Sequence, residues 1–143
     1  MSETVRVLVV DDHEVVRMGL ITLLEDVPWI QVVAQADSAE DALLAVSLHH
    51  PDVVVMDIRL PGDSGIDACQ NITTRWPDTK VVMLTSYGDD TMIFRAIQAG
   101  ASGYILKQVG THALITAIDA IRRGEALLDP IVTQRVLAKV RQG

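Results

Sequence analysis

Short apolar runs alternate with amphipathic segments along the chain. Nearly continuous apolar runs occupy residues 5–10 (VRVLVV), 53–56 (VVVM) and 81–84 (VVML). Runs of this kind are typical of parallel strands whose two faces are both covered by helices. A more mixed segment at 30–36 (IQVVAQA) predicts an edge strand, and 103–107 (GYILK) predicts a short fifth strand. The alternation predicts repeated βαβ units and a single parallel sheet.

The segments between these runs have helical patterns. The first, over residues 13–26, carries an apolar stripe that we expect to face the sheet, made of Val16, Leu20, Leu23 and Leu24. Ser38 and Asp41 have the spacing of a capping box and predict the start of a second helix, which stops before Pro51. Three more helices are expected over 65–75, over 89–99 and up to Gly124. A sixth helix, outside the alternation, is predicted from Asp129-Pro130, an N-cap followed by an N1 proline.

Composition narrows the class of protein. The chain has 143 residues, which predicts one domain, and 49% apolar with 22% charged residues argues against disorder. The formal net charge of −7 disfavours nonspecific binding to nucleic acid or anionic membranes. Cys69 has no cysteine partner and is expected to be a buried apolar residue. Without a membrane-length apolar run or a signal-peptide pattern, we expect a cytoplasmic protein.

Chemically active side chains follow four of the five predicted strands. Asp11 and Asp12 follow the first strand, Asp57 the third, Thr85 ends the fourth and Lys107 the fifth. Ligands of open parallel sheets bind outside the carboxyl ends of the strands. Two carboxylates about 4 Å apart repel by roughly 4 kcal/mol at an effective dielectric of 20, so such a cluster needs a cation, and Mg²⁺ suits it. A carboxylate beside Mg²⁺ can act as a nucleophile toward a phosphoryl group.

Each of these residues also has an ordinary structural role. A single aspartate after a strand is commonly a helix cap or a turn residue. Thr85 suits any strand, and Lys107 suits an exposed edge strand. The coincidence at four strand ends favours a functional site.

Four motifs carry a resemblance to a known family. They are VLVVDDH, VVVMDIRLPGDSGID, VVMLTS and AGASGYILK, in this order over residues 4–124. In combination they resemble the receiver domain of bacterial two-component response regulators. The resemblance implies a flavodoxin-like sheet with strand order 2-1-3-4-5.

The resemblance also implies roles for the acidic residues. Asp57 corresponds to the phosphoacceptor. Asp12 and Asp57 correspond to direct Mg²⁺ ligands, Asp11 acts mainly through water, and the backbone carbonyl of Arg59 completes the protein ligands. No other cofactor is implied.

Further positions correspond to residues that read out or tune the phosphorylated state. Thr85 and Lys107 are expected to contact the phosphoryl group, and Thr85 and Tyr104 are the expected switch pair. Arg59 and Tyr87 flank the route of the hydrolytic water. Because both side chains are bulky, we expect slow autodephosphorylation.

The C-terminal part resembles one subgroup of these regulators. The segments QAGASGYILKQ and RRGEALLDPIVTQRVL are similar to regulators whose receiver precedes a LuxR/NarL-type helix-turn-helix domain. We therefore expect residues 1–124 to form the receiver and 125–143 a linker helix to a DNA-binding domain that is absent here. The chain is interpreted as a fragment of a transcriptional regulator, and a stand-alone receiver in a phosphorelay is the alternative.

The resemblance implies two protein partners. A sensor histidine kinase would donate the phosphoryl group, and phosphorylation would strengthen a homodimer. Val15, Met18 and Thr22 lie on a second, partly apolar face of the first helix, which is consistent with a partner surface. Members of the subgroup dimerise through helices one and five, or through the fourth helix, fifth strand and fifth helix.

Two other classes share some of these features. A phosphohydrolase of the haloacid dehalogenase type needs a second aspartate two residues after its nucleophile and a nucleophile on strand one. Here Arg59 occupies that position and Asp57 follows strand three. A flavodoxin would bind a flavin phosphate after strand one, where Asp11 and Asp12 would repel it. We therefore expect a signalling protein that catalyses only its own phosphorylation and dephosphorylation.

Overall fold

A computed structural model describes residues 4–60, 65–85, 90–106 and 111–124, which form one sheet with helices on both faces. The five parallel strands have the order β2-β1-β3-β4-β5. The elements are β1 (Val5–Val10), α1 (Glu14–Glu25), β2 (Ile30–Ala36), α2 (Ala39–His49), β3 (Val53–Asp57), α3 (Gly65–Arg75), β4 (Lys80–Thr85), α4 (Asp90–Gln98), β5 (Gly103–Leu106) and α5 (Thr111–Arg122). The predicted flavodoxin-like topology is confirmed, with β2 at one edge.

The sheet separates two apolar layers. Val7 and Val9 of β1 point toward the layer that contains α1 and α5 residues. Leu8 and Val10 point to the opposite layer, beneath α2, α3 and α4. Because both sides of the central strands are buried, every position favours an apolar residue.

The ends of α2 follow from local chemistry. The Ser38 hydroxyl accepts a hydrogen bond from the backbone N–H of Asp41 at 3.1 Å, which confirms the predicted cap. At the other end His50 adopts the left-handed conformation with φ +47°, and its N–H donates to the Val46 carbonyl. His49 lies in the last turn, where an imidazole suits the negative end of the helix dipole.

The stripe predicted for α1 is only half right. Leu20 and Leu24 are buried against the sheet, but Val16 and Leu23 are 38% and 47% exposed. At 3.6 residues per turn, these two residues lie roughly 60–80° away from the line joining Leu20 and Leu24. The helix contacts the sheet along that narrow line, so its neighbouring apolar positions stay outside.

The exposed side of α1 is therefore unusually apolar. It carries Val15 at 84% and Met18 at 56% exposure. Gly19, Thr22 and Leu23 are also exposed. We refer to these five residues as the α1 face. A Cβ placed on Gly19 would meet no atom within 4 Å, so packing within the described part of the chain does not require glycine there.

Cys69 is fully buried in α3, as predicted. Burial raises the pKa of its thiol to about 12. At neutral pH the side chain is a protonated apolar group and not a nucleophile.

Two predictions concern residues beyond the described part. β5 is described over Gly103–Leu106, and Lys107, the predicted last residue of this strand, lies outside the described residues. The helix predicted from Asp129 also lies outside them. Within the described ranges, no helix combines the length and apolarity needed to cross a membrane.

Candidate functional site

Three aspartates meet at the carboxyl edge of the sheet. Asp11 follows β1 and Asp57 ends β3, and these two strands pair directly, with Val10 beside Met56. The potential ligand atoms of Asp11, Asp12, His13 and Asp57 all lie within 4.8 Å of one another. We call these four residues the acid cluster.

The two central carboxylates are buried and oriented by their own loops. Asp11 is 1% exposed and Asp57 is 7% exposed. The Oδ1 atom of Asp11 accepts the backbone N–H of His13 at 2.9 Å, and that of Asp57 accepts the N–H of Arg59 at 3.1 Å. Such local bonds orient each carboxylate within its own loop.

The acid cluster fits a hard divalent cation. Carboxylates about 5 Å apart repel by roughly 3–4 kcal/mol per pair at an effective dielectric of 20. All three acidic members offer oxygen ligands, and few carboxylates on one side suit the partly hydrated coordination that Mg²⁺ favours. A bound cation would remove the repulsion, so the residues present fit Mg²⁺.

His13 lies beside the carboxylates. It is the N-cap of α1, at the start of the helix predicted over residues 13–26. Its Nδ1 atom lies 3.1 Å from an oxygen of Asp11 and 3.0 Å from an oxygen of Asp12. The backbone of His13 is extended, with φ −93° and ψ 111°, as is typical of an N-cap residue.

Two residues beside the site were missed in the sequence. Gly65 opens α3, and its N–H donates to the Ile58 carbonyl at 2.7 Å. A Cβ on Gly65 would collide with the carbonyl oxygen of Asp57 and approach Ile58 Cα to 2.8 Å. Arg17, one turn into α1, donates to the carbonyl of Asp11 at 2.7 Å. Neither contact follows from a spacing in the sequence.

The remaining site candidates are only partly described. Thr85 is described as the last residue of β4, with its backbone beside Leu106. Lys107 and Tyr87 lie outside the described residues. Tyr104 is fully buried in the layer beneath α2, α3 and α4. The side chain of Arg59 is exposed next to Asp57.

Comparison with known proteins assigns the family. Residues 7–119 match the model of the response regulator receiver domain. The chain belongs to this family. Receiver domains typically bind Mg²⁺ at an acidic pocket, and this chain has the cluster of Asp11, Asp12 and Asp57 described above.

Two relatives of the chain are transcriptional regulators of the LuxR/NarL type. The receiver is 42% identical to the DNA-binding transcriptional activator DevR/DosR of Mycobacterium tuberculosis over 137 residues, covering 96% of this chain and 63% of that protein. It is also 42% identical to the transcriptional regulatory protein LiaR of Bacillus subtilis, covering 96% of this chain and 65% of LiaR. The chain thus spans less than two thirds of each relative.

A solved structure agrees in fold. The LuxR-family two-component response regulator from Aurantimonas sp. SI85-9A1 superposes with a TM-score of 0.90 at 36% identity, covering 98% of this chain and 99% of that one. The chain is therefore a receiver domain of a two-component response regulator, and membership of this family implies phosphorylation-dependent signalling. Proteins of this family are signalling proteins and not metabolic enzymes, which excludes the phosphohydrolase and flavodoxin interpretations.

Proposed function

We propose that Asp57 accepts a phosphoryl group from a sensor histidine kinase and that this modification switches a transcriptional output. The observation that carries the proposal is the position of Asp57 at the end of β3, buried and within the acid cluster. The Arg59 N–H holds one of its oxygens, so the carboxylate has a fixed direction.

The acid cluster supplies the cation site of this proposal. The carboxylates of Asp11, Asp12 and Asp57, with the Arg59 carbonyl, would hold Mg²⁺, Asp11 mainly through water. Bound Mg²⁺ neutralises carboxylate charge and polarises the oxygens of the incoming phosphoryl group. Asp11 and Asp57 need little reorganisation for this task because their loops already orient them.

The transfer uses one carboxylate oxygen of Asp57 as the nucleophile. An O–P bond forms to the incoming phosphorus while the N–P bond of the kinase phosphohistidine breaks, and the electron pair of that bond returns to the imidazole. We assign Thr85 and Lys107 to the phosphoryl oxygens as hydroxyl and ammonium donors. In this proposal the chain promotes both this transfer and the later hydrolysis of the aspartyl phosphate by water, which regenerates the carboxylate and releases inorganic phosphate, and it turns over no metabolite.

We propose that the switch pair, Thr85 and Tyr104, links phosphorylation of Asp57 to the transcriptional output. Thr85 would move toward the phosphoryl group, and Tyr104 would respond with its ring in the layer that contains α4 residues.

We propose that residues 1–124 form the receiver and that residues 125–143 form a helix leading to a helix-turn-helix domain. This organisation agrees with relatives such as a DNA-binding transcriptional activator. A stand-alone receiver is the alternative. We also propose that the protein is located in the cytoplasm.

The proposal predicts covalent phosphorylation by a small donor. Incubation with acetyl phosphate and Mg²⁺ should add one phosphoryl group, measured by intact mass, and a chelator should prevent the addition. Decay should take minutes or longer, because Arg59 and Tyr87 are bulky beside the route of attacking water. No adduct in Mg²⁺ would refute the proposed function, and a lifetime of seconds would refute the assignment of these two residues.

We further propose that a second copy of the chain binds the α1 face. Its five residues carry no charge, although the chain as a whole has a net charge of −7. A glycine in a helix interior costs about 0.5–1 kcal/mol relative to alanine, and no contact among the described residues requires Gly19. A small residue amid exposed apolar side chains suits close contact with another surface.

The dimer is tested with the phosphoryl analogue beryllofluoride. The wild type should show a larger solution mass in light scattering when beryllofluoride and Mg²⁺ are present. Met18→Glu should remain monomeric, since burying an unpaired charge opposes association. Leu48→Glu is the matched control, because Leu48 is 75% exposed on α2, on the opposite side of the sheet. A monomeric wild type, or loss of the dimer only in Leu48→Glu, would contradict this surface.

A further inference from the structure

Arg17 links helix α1 to the ends of two strands. Its Nη1 atom donates to the carbonyl oxygen of Asp11 at 2.7 Å, and its Nε atom donates to Oε1 of Gln35 at 2.7 Å. Asp11 follows β1, and Gln35 is the penultimate residue of β2. A third bond, from the Asp11 N–H to the Ala36 carbonyl at 3.1 Å, joins the same two strand ends.

These bonds fix the peptide that carries two members of the acid cluster. The Asp11 carbonyl belongs to the peptide unit between Asp11 and Asp12, so holding that oxygen sets the plane from which the Asp12 side chain departs. The Arg17 N–H also donates to the carbonyl of His13 at 2.9 Å. Residues 11–13 are thus held by Arg17 through both its backbone and its side chain.

We infer that Arg17 is a positioning residue that sets the affinity of the acid cluster for a divalent cation. The inference rests on the proposed function, since it concerns the cation site assigned there. Arg17 touches no carboxylate oxygen in the hydrogen bonds described above. It acts by keeping Asp11 and Asp12 in one arrangement before a cation arrives.

The chemistry of arginine is matched to this task. Its planar guanidinium donates in two fixed directions at once, toward the carbonyl of Asp11 and the side chain of Gln35. A lysine at this position would have a single ammonium that cannot reproduce the fork.

The test compares Mg²⁺ binding in two arginine variants. Arg17→Met keeps the length of the aliphatic stem but removes both bonds, and we expect the dissociation constant for Mg²⁺ to rise about tenfold, measured by isothermal titration calorimetry. Arg6→Met is the matched control. Arg6 also donates from Nη1 to a backbone carbonyl, that of His50 at 3.0 Å, at the opposite edge of the sheet. This control should change stability toward urea but leave the Mg²⁺ affinity unchanged.

The outcomes separate this inference from the proposed function. If Arg17→Met binds Mg²⁺ with wild-type affinity, the positioning role is overturned because the substitution has no effect. If Arg6→Met loses as much Mg²⁺ affinity as Arg17→Met, the role is overturned because the effect is not specific to Arg17. Should Arg17→Met fail to fold, Arg17→Lys decides: weaker binding than wild type supports the role, and wild-type binding overturns it. A wild type that binds no Mg²⁺ overturns the proposed cation site itself, together with this inference.

Discussion

An Asp57→Asn variant is expected to gain no phosphoryl group from acetyl phosphate and Mg²⁺, whereas the wild type gains one. An amide has nearly the shape of the carboxylate but lacks the anionic oxygen that attacks phosphorus. The loss should be complete rather than partial, because the nucleophile itself is removed. Intact mass after timed incubation measures the outcome directly.

A measurement of stability toward urea distinguishes this loss of phosphorylation from misfolding of the Asp57→Asn variant. Asp57 lies in a cluster whose carboxylate pairs each repel by roughly 3–4 kcal/mol at an effective dielectric of 20. Removing one negative charge relieves part of this repulsion, so Asp57→Asn should unfold in Mg²⁺-free urea at or above the wild-type midpoint. Asp78→Asn is the control, since Asp78 is an exposed aspartate just before β4, at the opposite edge of the sheet. An adduct on Asp57→Asn equal to that of the wild type would show that another residue is the acceptor.

A Gly65→Ala variant is expected to lose about 3 kcal/mol of the free energy of unfolding, at the upper end of overpacking costs. The added Cβ would collide with the carbonyl oxygen of Asp57 and lie 2.8 Å from Ile58 Cα. These are backbone atoms of a central strand and the residue after it, so they cannot rotate away as a flexible side chain would. Urea denaturation measures the loss.

The same variant should also disturb the site. The Gly65 N–H donates to the Ile58 carbonyl at 2.7 Å, so any displacement of α3 moves the segment that follows Asp57. We expect weaker Mg²⁺ binding in Gly65→Ala together with the lower stability. Gly19→Ala is the control for removing a glycine. Its Cβ meets no atom within 4 Å, and alanine there should add about 0.5–1 kcal/mol of stability. Equal stability of Gly65→Ala and wild type would contradict the close approach.

The parallel sheet could be predicted from sequence because its signal is local and repeated. Each buried central strand needs apolar residues on both faces, which leaves a continuous run such as VVVM. The cap of α2 was predictable for the same reason, since Ser38 and Asp41 are three positions apart. The order of the strands came from the family resemblance of the combined motifs and not from these patterns.

The tertiary structure alone decided which side of α1 meets the sheet. Val16, Leu20, Leu23 and Leu24 fit one helical stripe in the sequence, yet the position of the helix over β1 and β2 buries only two of them. The hydrophobicity of a residue makes its burial favourable, but the line along which the helix contacts the sheet determines whether that residue is buried.

The candidate site likewise depends partly on the sequence and partly on the tertiary structure. The sequence by itself determined that Asp11, Asp12 and Asp57 follow strands, because the identity of a residue after an apolar run is a local fact. Only the pairing of β1 with β3 brought them within 4.8 Å, and only the approach of α1 and α3 assigned Arg17 and Gly65 to their support. Those contacts depend on how separate elements pack, which no spacing along the chain encodes.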